Sequence, residues 1–442
     1  MRFPLIVLTS FLVLVEASWA SEYCVVVQNG TYENDGWKAV ADTLVTKHSG
    51  LLLRYGSSPT EVLPALKEHH PRHTCFVATP QQSTREFVAA VHQLTRQLDD
   101  DPYTDTFWGI LTGFDATNAL AIAKHKTPLV VRKVAAGTEV ALEMCEQGLW
   151  YDELVKNKFI KKQPGGAAEQ LHGPDDTTKA LVETLNAYQP DLFVTSGHAT
   201  ERNWQIGFRY RNGYFKSSAG QMFGEDTQRQ RIEIVSNNPK VYLPIGNCLM
   251  GNIDGPDAMA LAWMNDVGVK QMIGYTVPTW FGYGGWGVLD YFVEQPGRYS
   301  LTEAFFANHQ ALLHAIETKA ENQQGLTFDR DVVVFYGDPK WDARMADAKS
   351  AYEQALTVTD NIYRFTITPQ RAEDSFKPIN TNGAQRGWRP IVHWLPQRVT
   401  NVKIVSGTEF RPVVTDDFIL VPNPRTCDPA ITYEVVFSAT KI

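Results

Sequence analysis

An α/β body followed by a small β-sandwich is the fold this sequence predicts, and three observations predict it. Short continuous apolar runs recur from Ser21 to about Thr357. They include Cys24–Val27, Leu51–Leu53, Cys75–Val77, Trp108–Leu111 and Leu129–Val131, then Leu192–Val194, Val241–Ile245, Gln271–Ile273 and Val332–Phe335. Such runs suit parallel strands buried on both faces. Segments of helical period lie between them, the alternation of an α/β domain with a mainly parallel sheet. After about Asp360 the helical period stops and two-residue alternation takes over, with Tyr363, Phe365 and Ile367 set against Arg364, Thr366 and Thr368.

The elements follow in order. Arg2, the apolar run Pro4–Val15 and the small-x-small triplet Ser18-Trp19-Ala20 form an export signal over residues 1–20. The run is too short for a spanning helix of about 20 apolar residues, and no later segment is apolar enough to span. The chain is therefore expected to be secreted or periplasmic, in an oxidising place. Asn29-Gly30-Thr31 is a sequon that matters only in a glycosylating host. Trp37, Val40, Ala41, Leu44 and Val45 repeat with helical spacing, as do Phe87, Val91, Leu94 and Leu98, and Leu181, Leu185 and Tyr188. Ser300-Leu301-Thr302-Glu303 is a capping box that opens a helix carrying Phe305, Leu312 and Ile316. The Lys/Gln/Gly-rich segment Val155–Pro174 has no period and reads as the join between two α/β halves, 21–160 and 161–358. Short strands at Val402–Val405, Phe418–Val421 and Tyr433–Phe437 complete a sandwich over 359–442.

The chain has 442 residues, 43% of them hydrophobic and 20% charged, which excludes a disordered chain and suits two to four domains. With 41 basic and 49 acidic residues the formal charge is −8, which argues against a nucleic-acid partner.

Ligands of open α/β sheets bind beyond the carboxyl ends of the strands, so reactive residues just after an apolar run are the candidates. Two stand out. Leu192-Phe193-Val194-Thr195-Ser196-Gly197-His198 delivers a histidine, and Val241-Tyr242-Leu243-Pro244-Ile245-Gly246-Asn247-Cys248 a cysteine. Either alone reads as structural; the pair, each at a strand exit, reads as catalytic. A thiol is a weak nucleophile until a base takes its proton, and an imidazole can take that proton and later deliver it to a leaving amine. Glycine-rich strand ends add backbone N–H groups for an oxyanion.

Other motifs carry less. Glu68, His69, His70 and His73 read as a solvated turn rather than a metal site, and no metal site is expected. There is no His-Glu-x-x-His and no Gly-x-Ser-x-Gly, so a zincin and a common serine hydrolase are excluded. His172-Gly173 lies in a polar stretch with no strand leading in. His309 and His314 read as surface or packing residues, and Asp338 as a turn-former with Pro339. Gly282–Gly287 reads as a substrate-side loop whose aromatic faces wall a pocket, with Trp280, Tyr283 and Trp286 as substrate-binding candidates. The five cysteines are Cys24, Cys75, Cys145, Cys248 and Cys427. An odd number in an exported chain leaves one free or joined to another chain, and the catalytic reading makes that one Cys248. Cys24 and Cys75 each begin an apolar strand and would come within disulfide reach on neighbouring strands, the alternative being two buried thiols. Cys145 with Cys427 is the remaining pairing.

An apolar strand ending in His, then an apolar strand ending in small-Cys about 50 residues on, resembles the caspase–legumain–gingipain superfamily of cysteine peptidases. Beyond Cys248 the chain is most similar to the gingipain branch. Asp257–Trp263 resembles its helix after the nucleophile, Gly268–Thr276 its next strand, Trp280–Trp286 its aromatic loop and Phe335-Tyr336-Gly337-Asp338-Pro339 its closing strand and turn. The resemblance spans roughly residues 100–440. It implies a caspase-like sheet with flanking helices and an immunoglobulin-like sandwich. It also implies a cysteine endopeptidase acting on protein or peptide, with Cys248 as nucleophile and His198 as base and acid. The amides of Ala199 and Cys248 would serve the oxyanion, and Trp280 would wall the primary pocket. No cofactor is implied, although structural calcium is common in the family. A basic preference would need an acidic pocket floor, for which Glu225 and Asp226 are candidates.

Two departures stand out. The family's His-Gly is His198-Ala199 here, which loses tolerance for positive φ, and Gly246-Asn247-Cys248 replaces the Gln-Ala-Cys of caspases. An inactive peptidase-like binding protein, or a thiol acyltransferase using the same pair, therefore remains an alternative.

Overall fold

Twelve strands make one sheet. They are β1 (Tyr23–Gln28), β2 (Leu51–Tyr55), β3 (His73–Val77), β4 (Phe107–Leu111), β5 (Lys133–Ala136) and β6 (Gln147–Tyr151), then β7 (Lys158–Lys162), β8 (Ala168–His172), β9 (Leu192–Thr195), β10 (Lys240–Pro244), β11 (Val269–Tyr275) and β12 (Val333–Gly337). The computed structural model describes residues 22–381, 383 and 385–442, so the expected export signal lies outside the described residues. The order across the sheet is β2-β1-β3-β4-β12-β11-β10-β9-β5-β6-β7-β8. Strands β2, β1, β3, β4 and β12 run parallel, and so do β11, β10, β9, β5 and β6. The two arrays meet antiparallel, with Gln271 of β11 opposite Gly337 of β12. Nearly every residue of β1, β4, β9, β10 and β12 is buried, as continuous apolar runs require.

Three helices matter below. Helix α1 (Asp35–His48) starts where the Asn34 side chain accepts from the Gly36 and Trp37 amides, and it buries Trp37, Val40, Ala41 and Leu44. Helix α2 (Tyr283–Phe292) follows β11, and α3 (Leu301–Glu317) opens with the expected Ser300/Glu303 capping box.

Several sequence expectations change. Val155–Pro174 is not a linker: β7 and β8 form an antiparallel hairpin at the sheet edge, and the sheet runs unbroken through position 160. The lysines of Lys-Phe-Ile-Lys-Lys hid the strand, which is paired on both sides, by β6 and β8, yet is only half-buried along its length. Leu129–Val131 leaves the main sheet to pair with Ala343–Met345. A four-stranded antiparallel sheet over 203–233 is inserted between β9 and β10. His70 and His73 are not a solvated turn, since burial pushes both imidazoles down to about 3.

The expected disulfides do not form, and all five cysteines are free. Strands β1 and β3 are neighbours, but Cys24 stands opposite Thr74 and Cys75 opposite Val25. That one-residue offset sends the two sulfurs to opposite faces. Burial pushes the thiols of Cys24 and Cys145 up to about 12.

The C-terminal strands form two antiparallel sheets, of four and three strands, around Phe365, Ile367, Ile391, Ile419, Val435 and Phe437. The other face of the smaller sheet joins the main core, with Trp394 edge-on to Phe107 at 4.6 Å and Phe418 against Tyr103 at 5.1 Å.

Carboxylates gather at this junction. Asp99, Asp101 and Asp416 bring oxygens within 4.8 Å of one another, and so do His70, Asp99 and Asp105 with their ligand atoms. The first set does not fit calcium. Arg398 already neutralises Asp416, Asp101 accepts the Tyr103 amide, and three carboxylates fall short of six to eight oxygens. Burial, then the charges of Asp99 and Asp101, pushes Asp105 up to about 9. Folded Asp105 thus keeps a proton that the unfolded chain releases above about 4. The stability it lends at low pH is lost as pH rises toward 9. Asp105→Asn, which keeps an acceptor for the Leu98 amide, is expected to gain on wild type by more than about 1 kcal/mol between pH 5 and pH 9 in denaturant titrations. A constant difference across that range would contradict the shift.

Candidate active site

Strands β9 and β10 are parallel neighbours in register, with Thr195 beside Pro244. Their carboxyl ends therefore release His198 and Cys248 at the same end of the sheet, and both line one cleft of about 360 Å³. The turn before His198 needs φ +94 at Gly197, a value that glycine takes without strain.

Asn247, fully buried, ties the two exits together. Its carboxamide accepts from Thr195 Oγ1 at 2.6 Å and donates to the Gly197 carbonyl at 2.9 Å. Trp204 Nε1 donates to the Ser196 carbonyl at 2.7 Å and holds the same turn from the other side. The Thr279 amide donates to Cys248 Sγ at 3.2 Å, and the Thr279 hydroxyl donates to the Asn247 carbonyl at 3.2 Å. His198 is exposed and stacks on Phe208, ring centroids 4.6 Å apart.

Glu153 also lines the cleft. Its carboxylate accepts from Thr138 Oγ1 at 2.7 Å and lies against Gly197, next to the histidine. Burial raises it to about 7, against the Thr138 and Ser196 hydroxyl bonds that lower it. It follows the run Leu149–Tyr151 of β6, a strand exit like the other two. The same search of strand exits, widened to carboxylates, finds it in the sequence. Asn247 and Thr279 carry no such signal, because their partners are set by tertiary structure.

The other predicted residues divide. Trp280 and Trp286 line the cleft; Ala199 and Tyr283 do not. Tyr283 lies under the Arg389 guanidinium, 3.7 Å from its ring centre, and its carbonyl accepts from Asn308. The expected loop Gly282–Gly287 is the start of α2, because Gly285 lets the helix press on the Ile245 carbonyl, where a Cβ would lie 2.1 Å away. Glu225 pairs with Lys216 and Asp226 accepts the Gln228 and Gln230 amides, both away from the cleft, so neither forms its floor.

Ala199 does not take the positive φ feared for it. Its bridge to Trp204 is made by the Thr200 and Gln205 amides, so its own N–H takes no part. Ala199→Gly is therefore expected to leave kcat unchanged and to lower stability by up to about 1 kcal/mol. A raised kcat would reveal strain at this position.

No family model matches the chain, and no curated protein matches it. Among solved structures it is similar to the Arg-specific cysteine proteinase gingipain R (RgpB), at TM-score 0.48 and 10% identity over 92% of each chain. It is also similar to the complex of Porphyromonas gingivalis RgpB pro- and mature domains, at 0.48 and 9% over 95% of this chain and 93% of that one. A third structure, described only as a protease, gives 0.45 and 10% over 95% and 97%.

Proposed function

We propose that the chain is an exported cysteine endopeptidase of the gingipain type. The observation that carries this reading is the delivery of His198 and Cys248 into one cleft by neighbouring parallel strands. Cys248 gives its proton to His198, and the thiolate attacks the peptide carbonyl. The oxyanion draws on backbone amides, those of Ala199 and Cys248 being the candidates. His198 then protonates the leaving amine. Water, deprotonated by His198, opens the acyl-thioester and frees the acid and the thiol. Asn247 and Glu153 position the histidine turn. The chemistry needs no cofactor. The export signal puts the enzyme outside the cytoplasm, and no helix among the described residues is long and apolar enough to cross a membrane.

A peptide-library digest by wild type and Cys248→Ala tests the reading. New termini are expected from wild type only. No cleavage by either would point to a binding protein, and products joined to an added amine would point to an acyltransferase.

A further inference from the structure

Resting on the peptidase reading, we propose that the cleft selects a neutral, large apolar side chain, aromatic above all, in the residue whose carbonyl Cys248 attacks. The walls carry this. Trp280 is 56% exposed and Phe208 43%, and both are cleft residues. Large aromatic faces left in water at one concavity are the mark of an apolar ligand site. Phe281 and Trp286 complete the aromatic lining. A cavity of about 360 Å³ has room for a phenyl or indole group, and ring faces favour a ring between them.

Charge excludes the alternatives. Among the described residues Glu153 is the only carboxylate in the lining, and its oxygens are engaged by neighbouring hydroxyls. A lysine or arginine side chain entering here would lose its water for a single carboxylate, Glu153, which burial holds toward its neutral form. An acidic side chain would meet Glu153 and no lysine or arginine of the lining. Behind Trp286, the Arg386 guanidinium lies 5.8 Å from the indole and is neutralised by carboxylates, so it offers no free charge to a ligand. Arg386 lies three residues from Gly383, which the C-terminal region contributes to the cleft wall, and it is anchored to Asp290 of α2 and to Glu294 just beyond that helix.

The test is a series of peptidyl acyloxymethyl ketones differing only in the last side chain: Phe, Leu, Ala, Arg, Lys and Asp. Inactivation rates are measured and the adduct mapped to Cys248. Phe is expected to react at least about tenfold faster than Arg, Lys or Asp. Arg or Lys reacting as fast as Phe would overturn the proposal while leaving the Cys248 peptidase reading intact. No reaction with any probe, while iodoacetamide still alkylates Cys248, would remove both. In Trp280→Ala, whose side chain is exposed, the Phe probe is expected to slow at least about tenfold and the Ala probe by less than about threefold. Equal slowing of both would also overturn the proposal.

Discussion

Cys248→Ser is expected to lower turnover by at least about a thousandfold, because a serine hydroxyl is far harder for His198 to ionise than a thiol. His198→Ala should cost a comparable amount, and the double variant little more, since the two groups act as a unit. Single-turnover kinetics on one peptide substrate measure all three. Losses that simply multiply would separate the residues into independent contributors and contradict a shared proton transfer. Folding is not at issue in this comparison. Neither side chain is buried, and the strand exits are held by Asn247, Trp204 and Thr279.

The second large effect concerns stability. Asp338→Ala is expected to remove about 3–5 kcal/mol, because it leaves a buried cation without its partner. Asp338 accepts from Tyr23 Oη at 2.8 Å and from Lys47 Nζ at 2.8 Å, and its other partners are His48 Nε2 at 2.7 Å and the Lys340 amide at 3.0 Å. Burial alone would raise this carboxyl. The bonds and charges of His48 and Lys47 outweigh burial and hold it far below the usual range. The residue thus locks the start of β1 and the end of α1 to the end of β12, beside the seam between the two parallel arrays. The fall in denaturant midpoint of the variant reports the loss. Asp338→Asn, which keeps an acceptor but not the charge, should recover only part of it. A change under about 1 kcal/mol would mean that Lys47 finds compensation in the His125 carbonyl alone.

Asp338 also illustrates what the sequence held and what it hid. Its turn with Pro339 is local and was legible, while its partners 290 to 315 residues away were not. The same division runs through the fold. Continuous apolar runs identified β1, β3, β9, β10 and β12, because burial on both faces leaves a strong compositional trace. Strand β8 escapes that trace because it is a fully exposed edge strand, and β7 because its lysines leave it only half-buried beside that edge. The offset of Cys24 and Cys75 was invisible too, since register depends on pairing and not on composition. At the site, His198, Cys248, Trp280 and Trp286 came from position relative to a strand end or an aromatic cluster. Tyr283 reads as a loop residue because the glycines around it resemble turn-formers, whereas they serve close packing of α2.

In the proposed reaction Cys248 forms a covalent acyl intermediate with His198 as its proton carrier. Acid-quench mass spectrometry during turnover of a slow peptidyl ester ending in phenylalanine tests it most directly. An acyl group is expected on the peptide that contains Cys248, building up in a burst and absent from Cys248→Ala. Steady hydrolysis of the ester by wild type with no acyl group on Cys248, or undiminished hydrolysis by Cys248→Ala, would contradict it.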